Sequence, residues 1–154
     1  MNEKENRVER ANELFKSGYN CSQSVVAAFA DMYGFTEEQA LRMSASFGGG
    51  IGRMRETCGA ACGMFLLAGL EKGTIEAKDK EGKAANYALV QELAAEFKKR
   101  NGSLICAELL GLKRKDQITS VPEERTDQYY AKRPCSKMVE EAAKIWEEYL
   151  LNNK

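Results

Sequence analysis

The chain has 154 residues, enough for one hydrophobic core and too few to call for a second, so a single domain over 1–154 is expected. Its 23 lysines and arginines balance 23 aspartates and glutamates, which argues against nucleic acid or an acidic membrane surface as a partner. Histidine is absent, and with it Ser-His and Cys-His catalysis, imidazole ligands and the CxxCH attachment of a c-type haem.

Residues Met1 to Glu13 are charged throughout, with no apolar core of a secretory signal. No run of about 18 uncharged apolar residues follows, so no membrane-spanning helix is expected. A cytoplasmic, reducing location is expected. There cysteines serve as ligands, redox thiols or packing more often than as structural disulfides.

The periodicity is helical nearly everywhere, and two prolines in 154 residues do little to interrupt it. Val8, Ala11 and Phe15 form the stripe of a first helix that Gly18 ends. Asn20 caps a second, with Gln23 completing a capping box and Val25, Ala28, Phe29 and Met32 as its stripe up to Gly34. Thr36 and Gln39 form a second capping box, and Phe35 can staple onto Ala40. The third helix stops at Gly48-Gly49-Gly50.

A fourth helix is predicted from Glu56 or Thr57 to about Leu70. It is apolar on every side, the pattern of a buried helix. Gly59 and Gly63, four apart, let a neighbouring helix approach one side. A fifth helix runs from about Glu81 to Arg100, with Tyr87, Val90, Ala94 and Phe97 as its stripe and Asn101-Gly102 as its end. A short sixth covers Ser103 to Leu110. Residues 112–133 read as a long surface excursion with one helical turn near Glu123 to Tyr130. Pro134 opens a last helix striped by Val139, Ala142, Ala143 and Trp146. The fold class is all-α, a bundle packed around the central buried fourth helix.

The five cysteines fall on these stripes. Cys21 precedes Val25 by four, Cys135 precedes Val139 by four, Cys106 precedes Leu109 and Leu110, and Cys58 and Cys62 lie on the buried helix. All five point inward. Cys21, Cys58 and Cys135 also fall in first helical turns, where free N–H groups favour thiolate over thiol. Arg53, Arg55 and Arg133 add charge near them. A buried cysteine also packs as a small hydrophobe, and that reading stands beside the chemical one. The spacing matches neither a zinc ribbon nor a ferredoxin run, so a metal would need cysteines that converge from separate helices. A Cys58–Cys62 bridge is disfavoured, because i, i+4 on one helix strains disulfide geometry.

The glycine run Phe47-Gly48-Gly49-Gly50-Ile51-Gly52-Arg53 lacks the Gly-Lys-Ser/Thr ending of a phosphate loop, and no strand precedes it. Two readings remain. It is a connector that passes close to the buried helix, or the backbone of Gly49, Gly50 and Gly52, with Arg53, binds an anion or faces the Cys58 thiolate. The basic runs Lys98-Lys99-Arg100 and Lys113-Arg114-Lys115 read as solvated helix end and loop.

These blocks, in their order, resemble a known family. They are Phe15-Lys16-Ser17-Gly18-Tyr19-Asn20-Cys21-Ser22-Gln23 with Val25, Phe47 to Gly52, Thr57-Cys58-Gly59-Ala60-Ala61-Cys62-Gly63, Cys106 before Leu109-Leu110-Gly111, and Arg133-Pro134-Cys135. The chain resembles the redox-active proteins named for the pattern C, GCAxxG, C, C, over about residues 7–147. The label writes Gly-Cys before Ala-x-x-Gly, whereas here Cys58-Gly59 precedes Ala60. The Ala-x-x-Gly frame is kept and the thiol is displaced by one position. The resemblance implies that Cys21, Cys58, Cys106 and Cys135 are the functional thiols and that Cys62 is extra. It also extends to the protein part of split-Soret cytochromes c, without their haem.

Three functions follow. The first is thiol redox chemistry, with Cys58 or Cys21 attacking a disulfide or peroxide and Cys135 or Cys106 resolving it. Its counterpart is a redox partner or a small-molecule substrate. The second is a binding module in which Cys21, Cys58, Cys106 and Cys135 hold zinc or an iron–sulfur cluster. The third is a helical interaction protein whose cysteines only pack.

Overall fold

The structure, a computed structural model, describes residues 6–112, 119–132 and 134–153. The run Lys113-Arg114-Lys115 and Arg133 lie outside the described residues. The fold is all-α. Eight helices are described: α1 (Arg7–Lys16), α2 (Cys21–Phe29), α3 (Glu37–Ser44), α4 (Gly59–Lys72), α5 (Lys80–Asn101), α6 (Cys106–Leu109), α7 (Asp127–Lys132) and α8 (Cys135–Asn152). Among the described residues no helix is long and apolar enough to cross a membrane.

The helix starts follow from local chemistry. Asn20 Oδ1 accepts from Gln23 N, while Gln23 Oε1 accepts from Asn20 N, a reciprocal capping box. Thr36 and Gln39 repeat the device on α3. Phe35 packs against the small cluster of Val26, Ala30 and Ala40. Gly102, at φ 92°, ends α5 in the left-handed conformation that glycine adopts without penalty.

One apolar core joins α1, α2, α4, α5 and α8, with Phe15, Phe29, Met64, Phe97 and Trp146 fully buried in it. The first part of α4, Gly59 to Met64, is buried residue after residue, as its all-round apolar surface requires. Its close neighbour is α2. A Cβ on Gly63 would stand 2.9 Å from Val25 Cβ, and one on Gly59 would stand 2.8 Å from the Phe47 carbonyl oxygen. The two glycines therefore set how near the helices come.

Several sequence expectations shift. Met32 lies in a 3-10 turn after α2 and is 45% exposed, because the helix tightens at Ala30 and turns the stripe outward. On α5 the buried line is Leu89, Leu93 and Phe97. Tyr87, two residues and about 200° from Leu89, is 60% exposed. Helix α4 starts at Gly59 rather than Glu56 or Thr57, and α6 at Cys106 rather than Ser103. The cause is common: Thr57 and Ile105 form an antiparallel bridge, which holds both segments extended. In the excursion the helical turn lies at Asp127–Lys132, and the last helix starts one residue after Pro134.

Candidate functional site

Each of four cysteines begins a helix. Cys21 is the first residue of α2, Cys106 of α6 and Cys135 of α8, and Cys58 is the N-cap of α4. The sequence placed Cys21, Cys58 and Cys135 in this way but put Cys106 inside its helix, because the bridge that shortens α6 leaves no mark on periodicity.

Backbone pairing brings these starts together. Cys58 N donates to Leu104 O at 2.7 Å and Cys106 N to Glu56 O at 2.6 Å, so the starts of α4 and α6 lie side by side. Gly59 draws in α2: its missing Cβ would be 3.4 Å from Cys21 Cβ. Cys135 stands next to the Cys21 thiol, and Cys58 and Cys106 are close enough to act on it. Cys58 in turn feels Cys106 and Cys135. Cys62 stands apart, with Sγ turned to the Thr57 carbonyl at 3.8 Å. Cys58, displaced by one position from the pattern label, thus joins the cluster, and Cys62 does not.

None of the five cysteines is in a disulfide; four are buried, and Cys135 is partly exposed. The sequence expectation of acidified thiols at Cys21 and Cys58 is reversed. The adjacent Cys135, then burial, then the surrounding sulfurs hold the Cys21 thiol well above its ordinary value. Burial pushes Cys58 up to about 12; the amides of Ala61 and Ala60 pull it down, as the helix start should, but do not offset the loss of water. Burial likewise takes Cys62 to about 11. Among the described residues no group of three or more cysteine, aspartate or glutamate side chains is arranged to hold a metal ion as it stands.

The glycine run wraps the start of α6. Gly49, Gly50, Ile51, Gly52 and Arg53 all have positive φ, between 56° and 77°, an unusual left-handed run that includes a β-branched residue. The amide of Gly52 donates to Ser46 O and that of Arg53 to Gly48 O, so these two serve the loop's own turns. Gly50 cannot carry a side chain: a Cβ there would lie 2.6 Å from Cys106 Cβ. The Arg53 guanidinium donates to Thr119 O at 2.9 Å and to Val121 O, tying the excursion to the loop.

Between loop and excursion lies a cleft of about 280 Å3, walled by Gly49, Gly52, Arg53, Arg55, Arg125 and Tyr129 among others. Two of these walls touch the sulfur cluster. Arg55 Nη1 donates to Cys106 Sγ at 3.7 Å. Tyr129 lies beside Cys135; burial first, then the neighbouring Cys135, raise its hydroxyl above the ordinary phenol value. Arg125 and Tyr129 were not singled out in the sequence. No periodic stripe marks them, because their segment approaches α1 only in the folded chain: Arg125 donates to Phe15 O at 2.7 Å and Tyr19 O at 2.8 Å.

No curated protein and no solved structure matches the chain. A family does, over residues 19–149, which contain all the cysteines and the cleft walls. The chain belongs to that family, described as "Putative redox-active protein (C_GCAxxG_C_C)".

Proposed function

We propose that the protein exchanges electrons through a dithiol made by Cys21 and Cys135. The observation that carries this reading is that Cys21 and Cys135 stand next to each other, one buried and the other partly exposed. Cys135 is the sulfur an external disulfide reaches first, which reverses the roles read from sequence. After losing its proton it attacks one sulfur of the disulfide. The S–S bond breaks, and the first thiolate leaves and takes up a proton. Cys21 then gives up its proton and attacks the Cys135 side of the mixed disulfide, releasing the second thiol. Two protein thiols are oxidised, and one disulfide is reduced to two thiols. Cys58 and Cys106 form a second, deeper dithiol behind the first. A reducing cytoplasmic location suits free thiols of this kind.

A second reading keeps zinc or an iron–sulfur cluster, favoured by four thiols gathered from four helix starts. It requires the sulfurs to be drawn closer together than they stand. The packing reading accounts for Cys62 but not for the other four at one place.

The test uses protein purified without oxygen. Metal analysis and a visible spectrum come first, then thiol counting after treatment with the neutral disulfide 2-hydroxyethyl disulfide. The dithiol reading expects substoichiometric metal, no visible colour and rapid loss of two thiols, abolished in Cys21→Ser and Cys135→Ser and kept in Cys62→Ser. Stoichiometric zinc or iron would favour the second reading. Five thiols that react slowly and independently would return the cluster to packing.

A further inference from the structure

Among the described residues, the cleft beside the sulfurs is lined by more positive than negative charge. Arg55 is 4% exposed, its Nη1 faces Cys106 Sγ, and its Nε is buried with no hydrogen-bond partner. Arg125 directs its guanidinium to the carbonyl oxygens of Phe15, Gly18 and Tyr19 and stacks on the Phe15 ring at 4.2 Å. Among the described residues no carboxylate pairs with Arg55 or Arg125. Arg53 has Glu123 at 4.0 Å. Three guanidinium groups and the one carboxylate of Glu123 therefore line the cleft.

A buried guanidinium without an acidic partner is costly unless an anion occupies its field. Its planar fork matches carboxylates and other oxyanions. The left-handed backbone deepens the argument. Arg55 has φ 62°, a conformation disfavoured for a residue with a side chain, and its guanidinium faces Cys106.

We infer that the cleft selects its substrate by charge: the disulfide exchanged at Cys135 and Cys21 is a small molecule flanked by anionic groups, held in the field of the Arg53, Arg55 and Arg125 guanidinium groups that line the cleft. The inference rests on the dithiol reading above. A volume near 280 Å3 suits a molecule the size of cystine and lies at the small end for small-molecule sites. On exchange the anionic disulfide takes two electrons and leaves as two thiols, while the protein retains the Cys21–Cys135 bond.

The test compares three disulfides on the reduced, full-length protein: cystine, with two carboxylates and two ammonium groups; dithiodiglycolate, with carboxylates alone; and cystamine, with ammonium groups alone. Each rate is divided by that of the same disulfide with free dithiothreitol. Dithiodiglycolate is expected to exceed cystamine by roughly 10-fold or more at low salt, with cystine between, and the gap should shrink as salt screens the cleft. Arg55→Lys should keep part of the preference and Arg55→Met lose most of it, read in each variant as the ratio of the dithiodiglycolate rate to the rate with neutral 2-hydroxyethyl disulfide. Equal normalised rates, or a preference that Arg55→Met leaves intact, would overturn the inference while leaving the dithiol reading in place. If no disulfide oxidises the protein, the dithiol reading fails. The anion site is then judged by calorimetric binding of thiodiglycolate, the non-reducible thioether. Saturable binding weakened in Arg55→Met supports the site, and no binding overturns it.

Discussion

The guanidinium of Arg55 rests against the sulfur of Cys106, Nη1 to Sγ at 3.7 Å, and no carboxylate among the described residues shares its charge. A buried charge without an acidic partner costs stability. Replacing even a buried ion pair by apolar residues of similar volume is often neutral or stabilising, by about 1–4 kcal/mol, and a charge without an acidic partner has less to lose. Arg55→Met is therefore expected to leave the reduced, ligand-free protein as stable as the parent or more so in urea, while exchange with anionic disulfides slows. A loss of more than about 2 kcal/mol would assign Arg55 to the scaffold instead.

Two glycines of α4 make a matched pair. Gly63 lies under Val25, where a methyl group would meet Cβ at 2.9 Å and the Ser22 carbonyl oxygen at 3.2 Å; Gly69 has nothing within 4 Å. Gly63→Ala should destabilise by about 1–2 kcal/mol, as overpacking exceeds the helical gain. Gly69→Ala should stabilise by roughly 0.5–1 kcal/mol. Equilibrium denaturation of both variants checks the α2–α4 contact that positions Cys21 beside Cys58, and the same sign for both would contradict it.

Stability should fall in alkali, and Cys58 gives the sign. Its folded pKa of about 12 exceeds the ordinary thiol value of 9.0, so the native state holds its proton longer than the unfolded chain does. The contribution is complete below about pH 9 and is lost as pH rises toward 12, with a slope of at most about 1.4 kcal/mol per pH unit for this one group. Cys58→Ala should flatten the decline between pH 9 and pH 11 relative to the parent, whatever its own stability at pH 7. Urea midpoints at each pH provide the measurement, and an unchanged slope would show that Cys58 is not desolvated as described.

Much of this arrangement is legible in the residues. Asn20-Gln23 and Thr36-Gln39 announce two helix starts because capping is local chemistry, and the apolar circumference of α4 dictates its burial. The inward aim of Cys21, Cys58 and Cys106 follows from helical spacing. Tertiary events are not legible. The Thr57–Ile105 bridge moves Cys106 to a helix start from 48 residues away in sequence, and only the fold brings Arg125 against Phe15. The thiol chemistry shows the same limit. A helix start signals a favoured thiolate, but the desolvation that outweighs it at Cys58 depends on neighbours contributed by other helices.

If Cys21 and Cys135 form the working couple, peptide mapping of the oxidised protein reveals their bond. Reduced protein is treated with one equivalent of 2-hydroxyethyl disulfide, its remaining thiols are blocked in acid, and the digest is read by mass spectrometry. The account predicts one dominant cross-link, Cys21 to Cys135, with Cys58, Cys62 and Cys106 recovered as blocked thiols. A dominant Cys58–Cys106 link, or mixed disulfides that never resolve into an internal bond, would contradict it.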